Sequence, residues 1–389
     1  MGRFSTLNKK LRNLRALLKY PVIVWNLRNK NLFFFFPFWS VGGGERVHAD
    51  ILQAVSDARP VCFLTERSVN DGFKDDFLRY SSAIQLGRWA EKPSFKRSLQ
   101  EKMARAINSH KHVVVFGCHS RFFYELIPYL QEHVKVIDLI HAFTYDPDGP
   151  EIYSLLHVRR LDTRVVIGEK TKNDFRKFYR LHHLPEELLN RIQVIPNQVD
   201  TPDQKKEKDF SGNLRILFVS RNAPEKRPEL FLEIARLCMQ QLTNAEFIMI
   251  GDFTGLSGAV PPNVRIAGEI TDRETLFTFY EDAHLILLTS WREGMPLVIM
   301  EGMSHGVVPV TTAVGEIPSY ISADKYRNGF VIADHKNTEQ IVQDFVRQIV
   351  YLSDNRATLA EFSDNARQFA GEHFGPGNFS ESYRKLLLG

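Results

Sequence analysis

Cysteine is scarce. Cys62, Cys118 and Cys238 are the three in 389 residues, far apart and without the paired spacing of a zinc or redox motif. A disulfide framework is excluded as the source of stability, and the chain reads as a reduced, cytosolic protein. Long apolar runs are missing too. The longest, Leu32–Trp39, has eight residues and contains Pro37, whereas a membrane-crossing helix needs about 20. No long apolar core followed by a small-residue cleavage site opens the chain, so a secretory leader is not expected. Acids are absent from residues 1–44, where Arg3, Lys9, Lys10, Arg12, Arg15, Lys19, Arg28 and Lys30 stand. Of 50 lysines and arginines these are eight, which leaves 42 against 46 acids in the rest of the chain. The positive charge is therefore a property of one end, and a nucleic-acid-binding surface is not expected. What is present, 43% hydrophobic and 25% charged residues, is ordinary globular composition and excludes a largely disordered chain.

Phe4, Leu7, Leu11, Leu14 and Leu18 recur at three- and four-residue steps with bases between them. That period predicts a basic amphipathic helix, of the kind that lies on an anionic membrane surface. Met1-Gly2 with Thr6 also fits a myristoylation pattern. Beyond it, short apolar runs alternate with helical stretches. Strands are expected at Leu32–Phe38, Val61–Leu64, His112–Phe116, Val134–Ile140, Val165–Gly168 and Gln193–Ile195, with helices at about 46–56, 96–109 and 121–131. Residues 200–213 are polar and read as a linker. The alternation then restarts with strands at Leu214–Val219, Ala245–Ile250, Val264–Ala267, Leu285–Thr289 and Val308–Thr311, and helices near 228–241, 272–281 and 296–305. Two consecutive doubly wound α/β domains follow, with ligands expected at the carboxyl ends of the strands in a cleft between them. No internal repeat is evident, and Phe33–Phe36 is the one low-complexity tract.

The richest stretch for chemistry is 285–320. A buried strand ends in Thr289-Ser290, a loop presents Glu293-Gly294, and a helix opens near Pro296 with Glu301 inside it. Two acids and a helix N-terminus on one crevice suit a phosphorylated sugar. Carboxylates accept paired hydrogen bonds from vicinal hydroxyls, and free backbone N–H groups favour an anion. The string Ser290, Glu293, Gly294, Pro296, Glu301, Gly306, Pro309, Val310 resembles the signature of glycosyltransferase family 4, retaining sugar-nucleotide-dependent enzymes of the GT-B fold. The resemblance implies that Glu293 binds the donor sugar, Glu301 the ribose hydroxyls, and the backbone at Met295, Pro296 and Leu297 the diphosphate. Arg221 and Lys226, after Leu214–Val219, resemble the family's phosphate-binding pair. Such charges stabilise a departing diphosphate.

Gly42-Gly43-Gly44-Glu45-Arg46 resembles the family's N-domain turn, which faces donor phosphates and acceptor. It lacks the G-x-G-x-x-G spacing, and no G-x-x-x-x-G-K-[ST] occurs, so a dinucleotide dehydrogenase and a P-loop NTPase are disfavoured. Val194–Asp200 resembles the family's crossover V-I-P-N-G-V-D with Gln198 in place of glycine, and His141 matches a histidine placed near the donor sugar. His119, Arg121 and Glu45 are weaker acceptor-side candidates. Glu316 and Ser319 depart from the family's glycine and glutamate and leave the sugar open. No metal motif appears, and Asp146-Pro147-Asp148 reads as a turn. No cofactor or metal is therefore expected.

The resemblance runs from Leu32 to the C-terminus. It implies an extension at 1–30, an acceptor-side Rossmann-like domain at 31–200 plus 376–389, and a nucleotide-sugar domain at 201–375. The tail helices, 356–373 and 378–388 around a break at 375–377, resemble the family's closing helix returning to the first domain. The implied activity is a metal-independent retaining hexosyltransferase. It would move sugar from a nucleotide diphosphate sugar to a glycan or lipid-linked acceptor in cell-surface polysaccharide synthesis, in the cytoplasm or at the inner face of the membrane. An epimerase or hydrolase of the same fold, or a non-catalytic binding module, are the alternatives.

Overall fold

A computed structural model describes residues 23–87, 90, 93–202, 206–256, 258–334 and 337–389. The expected basic helix and acylation pattern at the start of the chain lie outside the described residues. The chain divides into two units. The first comprises residues through Val166, Asp174–Ile195 and Ser380–Gly389; the second comprises Ile167–Asn173 and Pro196–Phe379.

The first unit is a seven-stranded sheet of β1 (Leu32–Phe36), β2 (Val61–Leu64), β3 (Ser82–Gln85), β4 (Val114–Cys118), β5 (Lys135–Ile140), β6 (Thr163–Val166) and β7 (Ile192–Val194). Its spatial order is β3-β2-β1-β4-β5-β6-β7, and every pairing is parallel. Strands covered on both faces read as unbroken apolar runs, and all five residues of β1 are buried. The helices used below are α1 (23–29), α2 (Gly43–Ala54), α3 (Lys74–Tyr80), α4 (Pro93–Asn108), α5 (Arg121–Leu126), α6 (Pro150–Tyr153) and α7 (Glu169–Leu181). Ile23 and Leu27 of α1 join the core that packs on Phe33, Phe35 and Phe63.

A polar knot lies inside this core. The guanidinium of Arg164 donates to Asp138 at 2.6 Å, to Ser154 at 2.8 Å and to the Tyr179 hydroxyl at 3.1 Å, while the Tyr124 hydroxyl donates to Asp138 at 2.8 Å. Buried ions persist only when paired and hydrogen-bonded, and this pair is both.

The second unit holds β8 (Leu214–Val219), β9 (Ala245–Ile250), β10 (Val264–Gly268), β11 (Leu285–Leu288), β12 (Val308–Thr312) and β13 (Phe330–Ile332). They form one parallel sheet in the order β10-β9-β8-β11-β12-β13. Its helices are α8 (Pro228–Cys238), α9 (Arg273–Asp282), α10 (Leu297–Ser304), α11 (Ile317–Tyr320), α12 (Thr338–Asp354) and α13 (Arg356–Phe374), and α14 (Pro376–Leu388) closes the chain. The last ten residues pack in the first unit. Lys135 donates to the Leu386 carbonyl at 2.6 Å, and Arg384 pairs with Asp57 at 2.7 Å.

Several boundaries move from their expected places. The helix expected from Arg46 begins at Gly43, so Gly43 and Gly44 lie in its first turn and not in a loop. The strand expected at His112–Phe116 is Val114–Cys118; within it a side chain at Gly117 would strike the ring of Phe123 at 2.2 Å, so glycine lets that ring cover the strand. The helix expected at 121–131 ends at Leu126 and tightens into a single turn around Pro128, which has no N–H to continue it. The last helix starts at Pro376, not at 378. The strands β3 and β13 and the helices α3, α7 and α12 were not anticipated. In both sheets the strand order reverses once, at β1/β4 and at β8/β11. Ligands of open parallel sheets bind beyond the carboxyl ends of strands at such a point.

Candidate active site

The two strand ends of the second unit's reversal point converge on one ion pair. Lys226, in the loop after β8, puts its ammonium 2.6 Å from the Glu293 carboxylate in the loop after β11, with the side chains 18% and 9% exposed. Arg227 holds the two loops in this register. Its guanidinium donates to the carbonyls of Thr289 and Ser290 and pairs with Asp334 at 3.0 Å, while the Thr289 hydroxyl donates back to the Lys226 carbonyl at 2.7 Å. Arg227 adopts a left-handed backbone with φ 49°, unusual for a side-chain-bearing residue. It caps α8, whose first position is Pro228, where the missing N–H costs nothing. Nothing in the sequence around Arg227 marks it for this role, because its carbonyl partners lie about sixty residues on.

Arg221 is placed differently from Lys226. It is 70% exposed and pairs with Glu225 at 3.1 Å. The loop that presents Glu293 and Gly294 is held from the other side by Gly315, whose φ is +55°. Any Cβ there would come within 2.0 Å of the Gly294 carbonyl, and the Glu316 N–H donates to that same carbonyl at 2.8 Å. Met295 and Leu297 are buried, and Pro296 caps α10, so the first free N–H groups of that helix follow directly on Glu293 and Gly294. Ser290 is fully buried, and its hydroxyl has no hydrogen-bond partner.

Glu301 lies one turn inside α10 and is buried. The Tyr280 hydroxyl donates to it at 3.3 Å, and the Arg273 guanidinium stands 3.9 Å away, itself paired with Asp200 and stacked over Phe277. Tyr280 and Arg273 are neighbours that no motif in the sequence indicated, whereas Asp200 closes the Val194–Asp200 stretch.

Glu316 is fully buried and accepts from the backbone of Thr171 at 2.7 Å, from that of Lys170 at 3.1 Å and from the Thr171 hydroxyl at 2.7 Å. These donors are the first turn of α7, so the carboxylate caps a helix N-terminus. Glu316→Gln should destabilise that turn by about 1–2 kcal/mol. Hydrogen exchange at residues 170–173 reads this directly, and unchanged protection there would contradict the capping role.

In the first unit, α2 and the ends of β4 and β5 bring histidines together. His48 and His141 meet through their Nε2 atoms at 3.1 Å, and the His119 ring lies 5.4 Å from that of His141. Burial pushes all three imidazoles down, His119 to about 4, His141 to about 3 and His48 well below its ordinary value. They are neutral at physiological pH. A Cβ on Gly44 would sit 3.6 Å from the His141 ring, in ordinary contact. Glu45 follows in the same first turn. Arg121 is engaged with Asp148 at 3.1 Å and lies over the Tyr153 ring at 4.6 Å, and the Asp146–Gly149 segment is a hydrogen-bonded turn.

Comparison with known proteins gives this geometry a context. Residues 200–369 match the family model described as Glycosyl transferases group 1. A poly(ribitol-phosphate) alpha-N-acetylglucosaminyltransferase of Staphylococcus aureus is 24% identical over 266 residues, 65% of this chain and 50% of that protein, so the chain spans about half the length of this curated relative. Among solved structures, Anabaena Alr3699/HepE in complex with UDP superposes with a TM-score of 0.70 at 14% identity, over 92% of this chain and 99% of that one. The pneumococcal O-GlcNAc transferase GtfA in complex with UDP and GlcNAc gives a TM-score of 0.71 at 12% identity over 92% and 99%. At such identities the likeness is one of fold. Residues 200–369 accordingly resemble a group 1 glycosyl transferase domain, and the chain shares the fold of these solved structures.

Proposed function

We propose that this chain is a retaining hexosyltransferase of the family 4 type, moving a sugar from a nucleotide diphosphate donor to a hydroxyl of a glycan or lipid-linked acceptor in cell-surface polysaccharide synthesis. The observation that carries this reading is the 2.6 Å pair of Lys226 and Glu293 at the reversal point of the second sheet, beside the N-terminus of α10. A cation, a carboxylate and free helix amides are what a diphosphate and a sugar hydroxyl each require. In the proposed step the anomeric carbon–oxygen bond to the diphosphate breaks, the acceptor oxygen bonds to that carbon on the same face, and the leaving phosphate takes the acceptor proton. Lys226, Arg221 and the amides at Met295–Leu297 stabilise the phosphate charge, Glu293 orients the sugar, and His141 lies on the donor side. No second carboxylate is assigned as a covalent nucleophile, and no metal is assigned to the step.

The test is thermal stabilisation by UDP-, GDP- and dTDP-sugars, beginning with the uridine series because HepE and GtfA are seen with UDP. A donor at 100 times its Kd should stabilise the protein by about 2.7 kcal/mol. Arg221→Ala and Glu301→Ala should lose most of that shift. Stabilisation by none of the three nucleotide classes would overturn the donor site.

A further inference from the structure

We infer that the first unit holds a zinc-class metal ion between an imidazole nitrogen of His48, an imidazole nitrogen of His141 and the Sγ of Cys118. One donor atom from each of these residues lies within 4.8 Å of the other two. They come from α2, the last position of β4 and the residue after β5, so the fold gathers donors that the chain separates by tens of residues. This inference goes beyond the transferase reading and does not rest on it, although the two share His141.

Three observations favour a ligand over packing. The imidazole nitrogens here outnumber their partners: the Nε2 atoms of His48 and His141 share one hydrogen bond, while Nδ1 of His48 and Nε2 of His119 are buried with no partner. The His48 ring is already fixed, stacked face to face on Phe36 with centroids 4.0 Å apart, so ordering it for a ligand costs little further entropy. His119 directly follows Cys118 and sets its ring 5.4 Å from that of His141, so a third buried imidazole lines the same spot.

The donor set selects the ion. Two imidazoles and a thiolate are borderline-to-soft ligands, which suit Zn²⁺ and its cobalt analogue and not magnesium or calcium. Tetrahedral zinc with nitrogen and sulfur ligands places them about 3.3–3.8 Å apart, so the three atoms need close in by only about 1 Å. On binding, the Cys118 thiol releases its proton to solvent, and a zinc–sulfur bond takes the place of the S–H bond. A bound ion also takes the lone pair of His141.

The full-length protein, freed of metal with a chelator, is titrated with Zn²⁺ against a chromophoric chelator and, separately, with Co²⁺. One equivalent of zinc should be retained, and cobalt should show a thiolate-to-metal charge-transfer band. Cys118→Ser should abolish the band, and Cys118→Ser and His48→Gln should each weaken zinc binding at least about tenfold. Failure to retain zinc against the chelator overturns the inference, as does binding that survives both substitutions. Should either variant fold poorly, X-ray absorption on the zinc-loaded wild type decides: a ligand shell with one sulfur supports the site, and a shell without sulfur overturns it.

Discussion

Glu293→Gln should lower the rate of the proposed sugar transfer about 100- to 1,000-fold, the scale on which removal of one well-placed polar group acts on a charge-separating step. The substitution keeps the side chain's size and removes its charge, leaving the Lys226 ammonium 2.6 Å away without its counterion. Lys226→Met is expected to be as damaging, for the complementary reason that the departing diphosphate loses a fixed cation. Because the two groups face each other as a pair, the double variant should be scarcely slower than either single one, and a double-mutant cycle on kcat/KM tests this. Additive losses would mean that the two side chains act separately. Full activity in Glu293→Gln would remove the carboxylate from the mechanism.

Asp138→Asn should destabilise the first unit by about 3–5 kcal/mol, because it strands the Arg164 cation in a dry core. Asp138 and Arg164 are 0% and 2% exposed, and the guanidinium has no water to turn to. Removing both charges together is a different matter. Asp138→Leu with Arg164→Met replaces the pair by apolar groups of similar bulk and should recover much of the loss. Urea unfolding followed by tyrosine fluorescence and circular dichroism measures both. A single variant as stable as the wild type, or a double variant worse than the single, would show that the pair is not what holds these elements together.

The sheet of the second unit was legible because its strands are apolar runs bounded by turn residues: Leu214–Val219 and Ala245–Ile250 fall where the sequence places them. Short or half-polar edge elements were not. β3 is Ser-Ala-Ile-Gln and β13 spans three residues, too little pattern to register. The helix α7 spaces its apolar positions Phe175, Phe178 and Tyr179 for one face, but charged and polar residues, half of them lysine or arginine, fill nearly all the rest and mask the pattern. At the candidate site the residues near Glu293 were singled out by the resemblance of one contiguous string, Ser290 to Val310, to a family signature. The groups that hold them could not. Arg227 on the Thr289 and Ser290 carbonyls, Arg273 beside Glu301, and Glu316 under α7 are pairings between distant positions, and no local period encodes a partner. The gathering of His48, Cys118 and His141 is the same case.

The five buried residues of β1 bear on the birth of the protein as much as on its finished form. In the sheet, Leu32 and Phe35 stand beside Val114 and Gly117, and Phe35 beside Phe63. On a ribosome adding about 5–20 residues per second, the strand emerges several seconds before β4 exists to flank it. During that interval a run of four phenylalanines is an adhesive with no cover but Pro37, whose ring cannot join a ladder of strands. A strand buried along its whole length in the finished first unit is thus, while the chain is being made, a segment that needs shielding.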